Sequence, residues 1–125
     1  VDVSIVAAEA EVWRGEADTV LARSPEGEFG ILRGHIPFLA ALVPSFVTVV
    51  SEGSRRTWLV PGGFLEASGT MDDYHVIVLV DDAEETGELG DAEAKERIEN
   101  LKRRTLERAE DKRSDAELVA SMAAT

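Results

Sequence analysis

Cysteine is absent from the 125 residues. That excludes a disulfide framework and any thiolate site, and it fits a reducing compartment. Long hydrophobic runs are absent too: the longest is six residues, against the roughly 20 that span a bilayer. No basic-then-apolar segment opens the chain, so a secretory signal is not expected. Positive charge is scarce, with 13 Lys and Arg against 25 Asp and Glu, a net of −12. Nucleic acid must be met by a positive surface, so it is not an expected partner. Internal repeats and low-complexity tracts are lacking as well.

What is present suffices for a core. Hydrophobic residues make up 44% of the chain, above the range of disordered sequences. The length suits one domain, or a small domain plus an appendage. Charge divides the chain. Residues 1–85 carry 15 acidic and 5 basic residues, whereas 86–125 carry 10 and 8. Within 95–113 the balance is positive, eight basic against five acidic. The shift predicts an N-terminal domain over 1–85, a linker over 86–90 and a C-terminal unit over 91–125.

The first part reads as β. Val1, Val3 and Ile5 alternate on one face. Ser24-Pro25-Glu26-Gly27 suits a type I turn. "FVTVV" and "RTWLV" flank Ser51-Glu52-Gly53-Ser54, a hairpin signature. "GFLEAS" and "YHVIVLV" flank a further polar turn. In that last run both faces are apolar, which predicts a strand between two layers. Many short strands at this spacing imply an antiparallel sandwich or flattened barrel.

The second part reads as helix. Ala94, Ile98, Leu101, Thr105 and Ala109 share one stripe, and Asp91 can cap the start. Glu93–Arg97 and Glu99–Arg103 are spaced for i,i+4 pairing. A break is expected near Glu110–Arg113, with Ser114-Asp115-Ala116-Glu117 as the capping box of a short second helix. Few large apolar residues, Leu106 among them, are available to dock this tail. Its hold on the sandwich is therefore expected to be marginal, as a two-state element requires.

Catalytic signals are weak. Asp72, Asp73 and His75 are the one candidate metal cluster, more simply a solvated turn entering a strand. No nucleophile elbow occurs. No helix start follows the glycine pairs, so no phosphate cradle is expected. A stand-alone β-sandwich protein-binding module with a regulatory helical tail is one reading that fits these features.

Four blocks point more specifically. "EGEFGILRGHIPFLAAL" (26–42), "GGFLEAS" (62–68), "VSIVAAEAEVWRGEAD" (3–18) and "HVIVLVDDAE" (75–84) together resemble the epsilon subunit of F-type ATP synthases, the counterpart of mitochondrial delta. The resemblance covers nearly the whole chain in order. It implies a ten-stranded antiparallel β-sandwich followed by a C-terminal two-helix hairpin. It also implies a non-catalytic central-stalk subunit, coupling rotation of the membrane ring to the catalytic head in proton-driven ATP synthesis. Implied partners are the gamma subunit, the ring subunits and, through the tail, the catalytic alpha and beta subunits. The implied location is peripheral, on the cytoplasmic face of a bacterial plasma membrane, without insertion into it.

The resemblance assigns residues as well. Segment 28–37 would be a tip facing the ring, with Glu28, Arg33, His35 and Ile36 as contacts and Gly30, Gly34 and Pro37 as its framework. Lys102, Arg103, Arg104, Arg108, Lys112 and Arg113 would form a tail able to restrain ATP hydrolysis; alternatively they pair with Glu96, Glu99, Glu107 and Glu110 along the helix. Some relatives bind regulatory ATP at an aliphatic-Asp-x-x-Arg-Ala motif. Here Gly90 precedes Asp91 and the arginine is out of place, so no cofactor is expected. Pro44-Ser45 stands where the family often has Pro-Gly, a strained choice if that turn needs positive φ.

Overall fold

In the computed structural model, the described residues form ten strands in two sheets, followed by one helix. The structure describes all residues except 9, 33–36, 71, 88–90 and 124–125, and the side chains of 91, 109 and 111–123 are likewise left aside. The strands are β1 (Asp2–Ala7), β2 (Ala10–Glu16), β3 (Thr19–Ser24), β4 (Gly27–Leu32), β5 (Phe38–Leu42), β6 (Ser45–Ser51), β7 (Ser54–Val60), β8 (Gly63–Gly69), β9 (Tyr74–Val80) and β10 (Glu84–Thr86). Helix α1 spans Asp91–Ala123.

Sheet A has the order β2-β1-β9-β8-β5, and sheet B the order β10-β7-β6-β3-β4. Alternation places Val3, Ile5, Leu65, Val76 and Val78 of sheet A against Val20, Ile31, Val47, Trp58 and Val60 of sheet B, all essentially fully buried. The expected sandwich is therefore present, though not purely antiparallel. β1 runs parallel to β9, Val3 beside Val76 and Ile5 beside Val78. Nearly 70 residues separate the two strands, so no tight turn dictates their direction.

The hairpin at Glu52-Gly53 forms as read from the sequence. Both residues have positive φ, 29° and 77°, as a two-residue turn matched to strand twist requires. Gly63, at φ 148°, is fixed more tightly. A Cβ there would lie 2.2 Å from the Leu79 carbonyl oxygen. Ser45 does not have positive φ, so the turn after Pro44 is unstrained; its buried hydroxyl donates to the Val43 carbonyl at 2.8 Å.

An aromatic pair closes each lateral side of the sandwich. Trp13 of β2 tilts against Trp58 of β7, ring centres 5.7 Å apart. Phe29 of β4 meets Phe38 of β5 edge-on at 5.3 Å.

Two expectations fail. The tail is one continuous helix, not a two-helix hairpin. Segment 110–113 holds charged helix formers without Gly or Pro, so nothing ends the helix there. A Ser-x-x-Glu pattern caps a helix only where the chain enters one, and Ser114 lies inside it. Secondly, β9 is not covered on both faces. Tyr74, Val76, Val78 and Val80 are buried, whereas Ile77 and Leu79 are exposed. The helix packs on β7 in the other sheet and leaves this face open.

Of the helical stripe, Ala94 and Leu101 are buried, and Ile98 and Thr105 are half-buried. Leu106, a candidate for burial, is 63% exposed. Leu101 and Leu59 are both at 0% exposure, Leu59 lying on the outer face of sheet B where the helix docks.

Candidate interaction surfaces

Of the expected tip, 28–37, the structure describes residues 28–32 and Pro37. Residues 27–32 are strand β4, with Glu28 directly opposite Arg23. Glu28 adjoins the turn at Pro25-Glu26, at the same end of the sandwich as the end of β7 and the exit of Asp81 from β9. β4 ends at Leu32, about 13 Å from Glu28 at 3.3 Å per residue. The sequence alternation Glu28, Gly30, Leu32 (out) and Phe29, Ile31 (in) is strand-like, and that signal was available in the sequence. Gly30 belongs to the strand rather than to a loop; a Cβ there would approach Leu21 Cδ2 at 3.1 Å. Pro37 is exposed just before β5. Arg33, Gly34, His35 and Ile36 lie outside the described residues, as do Gly90 and the Asp91 side chain.

A second surface was missed. On the outer face of sheet A, Phe64 sits opposite Leu79 and next to Ala41. Val6 flanks Leu79 from β1. In the adjacent row Leu39, Glu66 and Ile77 are neighbours. Leu39 is 69% exposed, Phe64 55%, Leu79 48% and Ile77 38%. These residues come from three strands, and the register gathers them into one largely apolar patch interrupted by the exposed Glu66. Contiguous patches of this kind mark contact surfaces far more often than scattered apolar residues do. The doubly apolar pattern of β9 was the available signal.

The third surface is the helix dock. Arg97 Nη1 donates to Glu84 Oε1 at 3.0 Å, and Arg97 also pairs with Glu93 at 3.4 Å. Arg108 Nη2 donates to Asp82 Oδ2 at 2.6 Å, and Arg104 Nη2 lies 3.4 Å from the same oxygen. Lys102 pairs with Glu99 at 3.5 Å, in place of the expected Glu99–Arg103 pair. Arg103 is exposed. The Lys112 and Arg113 side chains lie outside the described residues. The basic stripe is thus not spent only on acids of its own helix; Arg104 and Arg108 reach across to the sandwich.

Beside this dock, Arg56 lies over both tryptophans, 5.8 Å from Trp13 and 5.4 Å from Trp58. Its guanidinium makes a two-pronged contact with Glu85 of β10 at 2.9 and 2.8 Å. This hydrogen-bonded pairing holds the Glu85 carboxyl below its ordinary value and raises Arg56 further. No sequence spacing foretells the group, because β2, β7 and β10 meet only through topology. A carboxyl with a lowered folded-state pKa contributes stability above its unfolded value and loses it as pH falls through the folded one. Acid titration is therefore expected to change tryptophan emission below about pH 4.5, the ordinary glutamate value. Glu85→Gln should lack that step. An identical step in Glu85→Gln would contradict the assignment.

His75 is flanked by two carboxylates, Asp2 at 3.3 Å and Asp73 at 2.9 Å, on different ring nitrogens. The carboxylates do not converge on a common point, and among the described residues no group of three or more His, Cys, Asp or Glu could hold a metal ion.

A sandwich with one sheet face left apolar and open, and a helix held to the other by arginines, is built as a docking subunit of a larger assembly. Comparison makes the class definite. The sequence profile of the β-sandwich domain of ATP synthase delta/epsilon chains matches residues 1–86. The chain belongs to that family, whose members are non-catalytic subunits of the synthase. The ATP synthase epsilon chain of Corynebacterium urealyticum is 36% identical over 118 residues, covering 93% of this chain and 89% of that one. That of Cutibacterium acnes is 31% identical over 121 residues, covering 96% and 80%. Among solved structures, a chain of the Euglena gracilis mitochondrial ATP synthase shares the fold with a TM-score of 0.63 at 21% identity, covering 78% of this chain and 61% of that one. A chain from the central stalk and c-ring of the Tetrahymena thermophila mitochondrial ATP synthase gives 0.55 at 16% identity, covering 86% and 94%.

Proposed function

We propose that the chain is a rotor subunit of the central stalk, and that the open face of sheet A is its seat on the gamma subunit. The observation that carries this reading is the patch of Leu39, Phe64, Ile77 and Leu79, in a member of a family of stalk subunits. An apolar face of that kind has to be covered in the assembled state. The helix is committed to the opposite sheet, so it does not compete for the patch.

Contact with the ring falls to separate points. Glu28, exposed on the edge strand β4, offers a carboxylate to a basic residue of the ring through a charge-assisted bond. Arg33, His35 and Ile36, following the far end of that strand, make a second contact. No helix among the described residues is long and apolar enough to cross a membrane. Membership of the synthase family supports a peripheral subunit, held at the cytoplasmic face of a bacterial plasma membrane by its partners.

The C-terminal unit, 91–125, acts as a restraint on hydrolysis when its basic residues (Lys102, Arg103, Arg104, Arg108, Lys112, Arg113) engage the alpha and beta subunits. Opposite charge would favour that engagement. Deleting 91–125 from the assembled enzyme should raise ATP hydrolysis and leave the sandwich bound. An unaltered hydrolysis rate would remove the restraining role from the tail.

A further inference from the structure

The helix is held to the sandwich less by apolar contact than by charge. Among its described side chains only Ala94 and Leu101 are buried. Its polar contacts converge instead on the short segment between β9 and β10. Asp82 is the centre of that convergence. Its Oδ1 accepts the Ala83 N–H at 2.9 Å, which fixes the carboxylate before the helix arrives. Its Oδ2 takes Arg108 at 2.6 Å and Arg104 at 3.4 Å. Arg108 Nη1 also donates to the Asp81 carbonyl at 3.4 Å, and Arg104 lies 3.8 Å from Glu84 Oε2. Only 20% of the Asp82 side chain is exposed, whereas the two arginine side chains are about half exposed.

We infer that Asp82 is the catch that holds α1 on sheet B, and that it competes for Arg104 and Arg108 with any acidic surface outside the chain. Two arginines on one pre-oriented carboxylate share a single anchor, so reversing that one charge turns both attractions into repulsions. Loss of Asp82 leaves, among the described residues, Arg97–Glu84 at 3.0 Å and the longer Arg104–Glu84 contact at 3.8 Å as the ion pairs between the helix and the strands. Leu101 and Ala94, with half-buried Ile98, are then a weak apolar hold on a helix of 33 residues, about 50 Å long. Where the tail restrains hydrolysis, docked and restraining states make mutually exclusive use of Arg104 and Arg108; this consequence rests on the reading above, whereas the catch itself does not.

The absence of cysteine allows a clean test on the full chain. Nitroxide labels at Ser54→Cys and Glu99→Cys report the helix-to-sandwich distance by pulsed electron resonance. The expected result is one narrow distribution, lost to longer and broader distances in Asp82→Arg. Arg104→Glu with Arg108→Glu leaves the sandwich sequence intact and should give the same loss. Asp82→Arg combined with Arg108→Glu and Arg104→Gln should restore the narrow distribution. An unchanged distribution in both Asp82→Arg and the double arginine variant would overturn the catch. ATP hydrolysis by the assembled enzyme carrying Asp82→Arg is expected to fall. If the distances broaden while hydrolysis stays constant, the catch stands and the restraining role of the tail is what fails.

Discussion

Replacing Phe64 by Glu together with Leu79 by Lys should abolish capture of the chain by the gamma subunit while leaving the sandwich folded. The two side chains face each other across β8 and β9, at the centre of the open patch. Both point away from the core, so neither substitution opens a cavity. Placed opposite each other, the new charges can pair in the free protein, which limits any cost to the fold. In an apolar contact the same charges must give up water. Truncation of a hot-spot residue at the centre of an interface costs about 2 kcal/mol or more. Two such losses correspond to an affinity weakened on the order of 1000-fold. A binding titration measures this. Affinity within a few-fold of the parent would move the gamma contact elsewhere.

Trp58→Ala should have the largest effect on stability. Trp58 is 1% exposed, packs in the core between both sheets and tilts against Trp13. Its loss removes a large apolar surface and one wall of the cation–π site that holds Arg56. Removing a buried tryptophan side chain costs about 3–5 kcal/mol. For a domain of this size that lowers Tm on the order of 20 °C. The Arg56–Glu85 contact should loosen with it, because Arg56 loses the surface over which it is laid. Thermal unfolding followed by circular dichroism checks the shift. A Tm within about 5 °C of the parent would mean that the tryptophan pair is not the lateral closure described.

Much of this architecture is legible in the residues. The hairpin at Glu52-Gly53, the β8–β9 pair and the start of a helix near Asp91 follow from local chemistry: turn residues, two-residue alternation and a helical stripe. What stays hidden depends on which elements meet. Apolar residues on both faces of β9 look alike whether the second face is covered by the same chain or kept for another protein. The run from Glu28 to Pro37 looks like one knuckle because its glycines suggest turns. Gly30 instead makes room for Leu21 within a sheet. The Ser-x-x-Glu pattern at Ser114 similarly lacks the chain break that would make it a cap. The arginines of the tail were recognisable as a cationic stretch, but their partner Asp82 lies 22 and 26 residues away and is fixed only by tertiary docking.

The stand-alone module remains a useful contrast, since it too would carry an open apolar face. The two readings differ in what covers that face. Hydrogen–deuterium exchange of the full chain, with and without its gamma subunit, addresses this directly. Protection concentrated on β5, β8 and β9, around Leu39, Phe64, Ile77 and Leu79, is the predicted result. Unchanged exchange in those strands on saturation with gamma, or protection confined to sheet B and the helix, would contradict it.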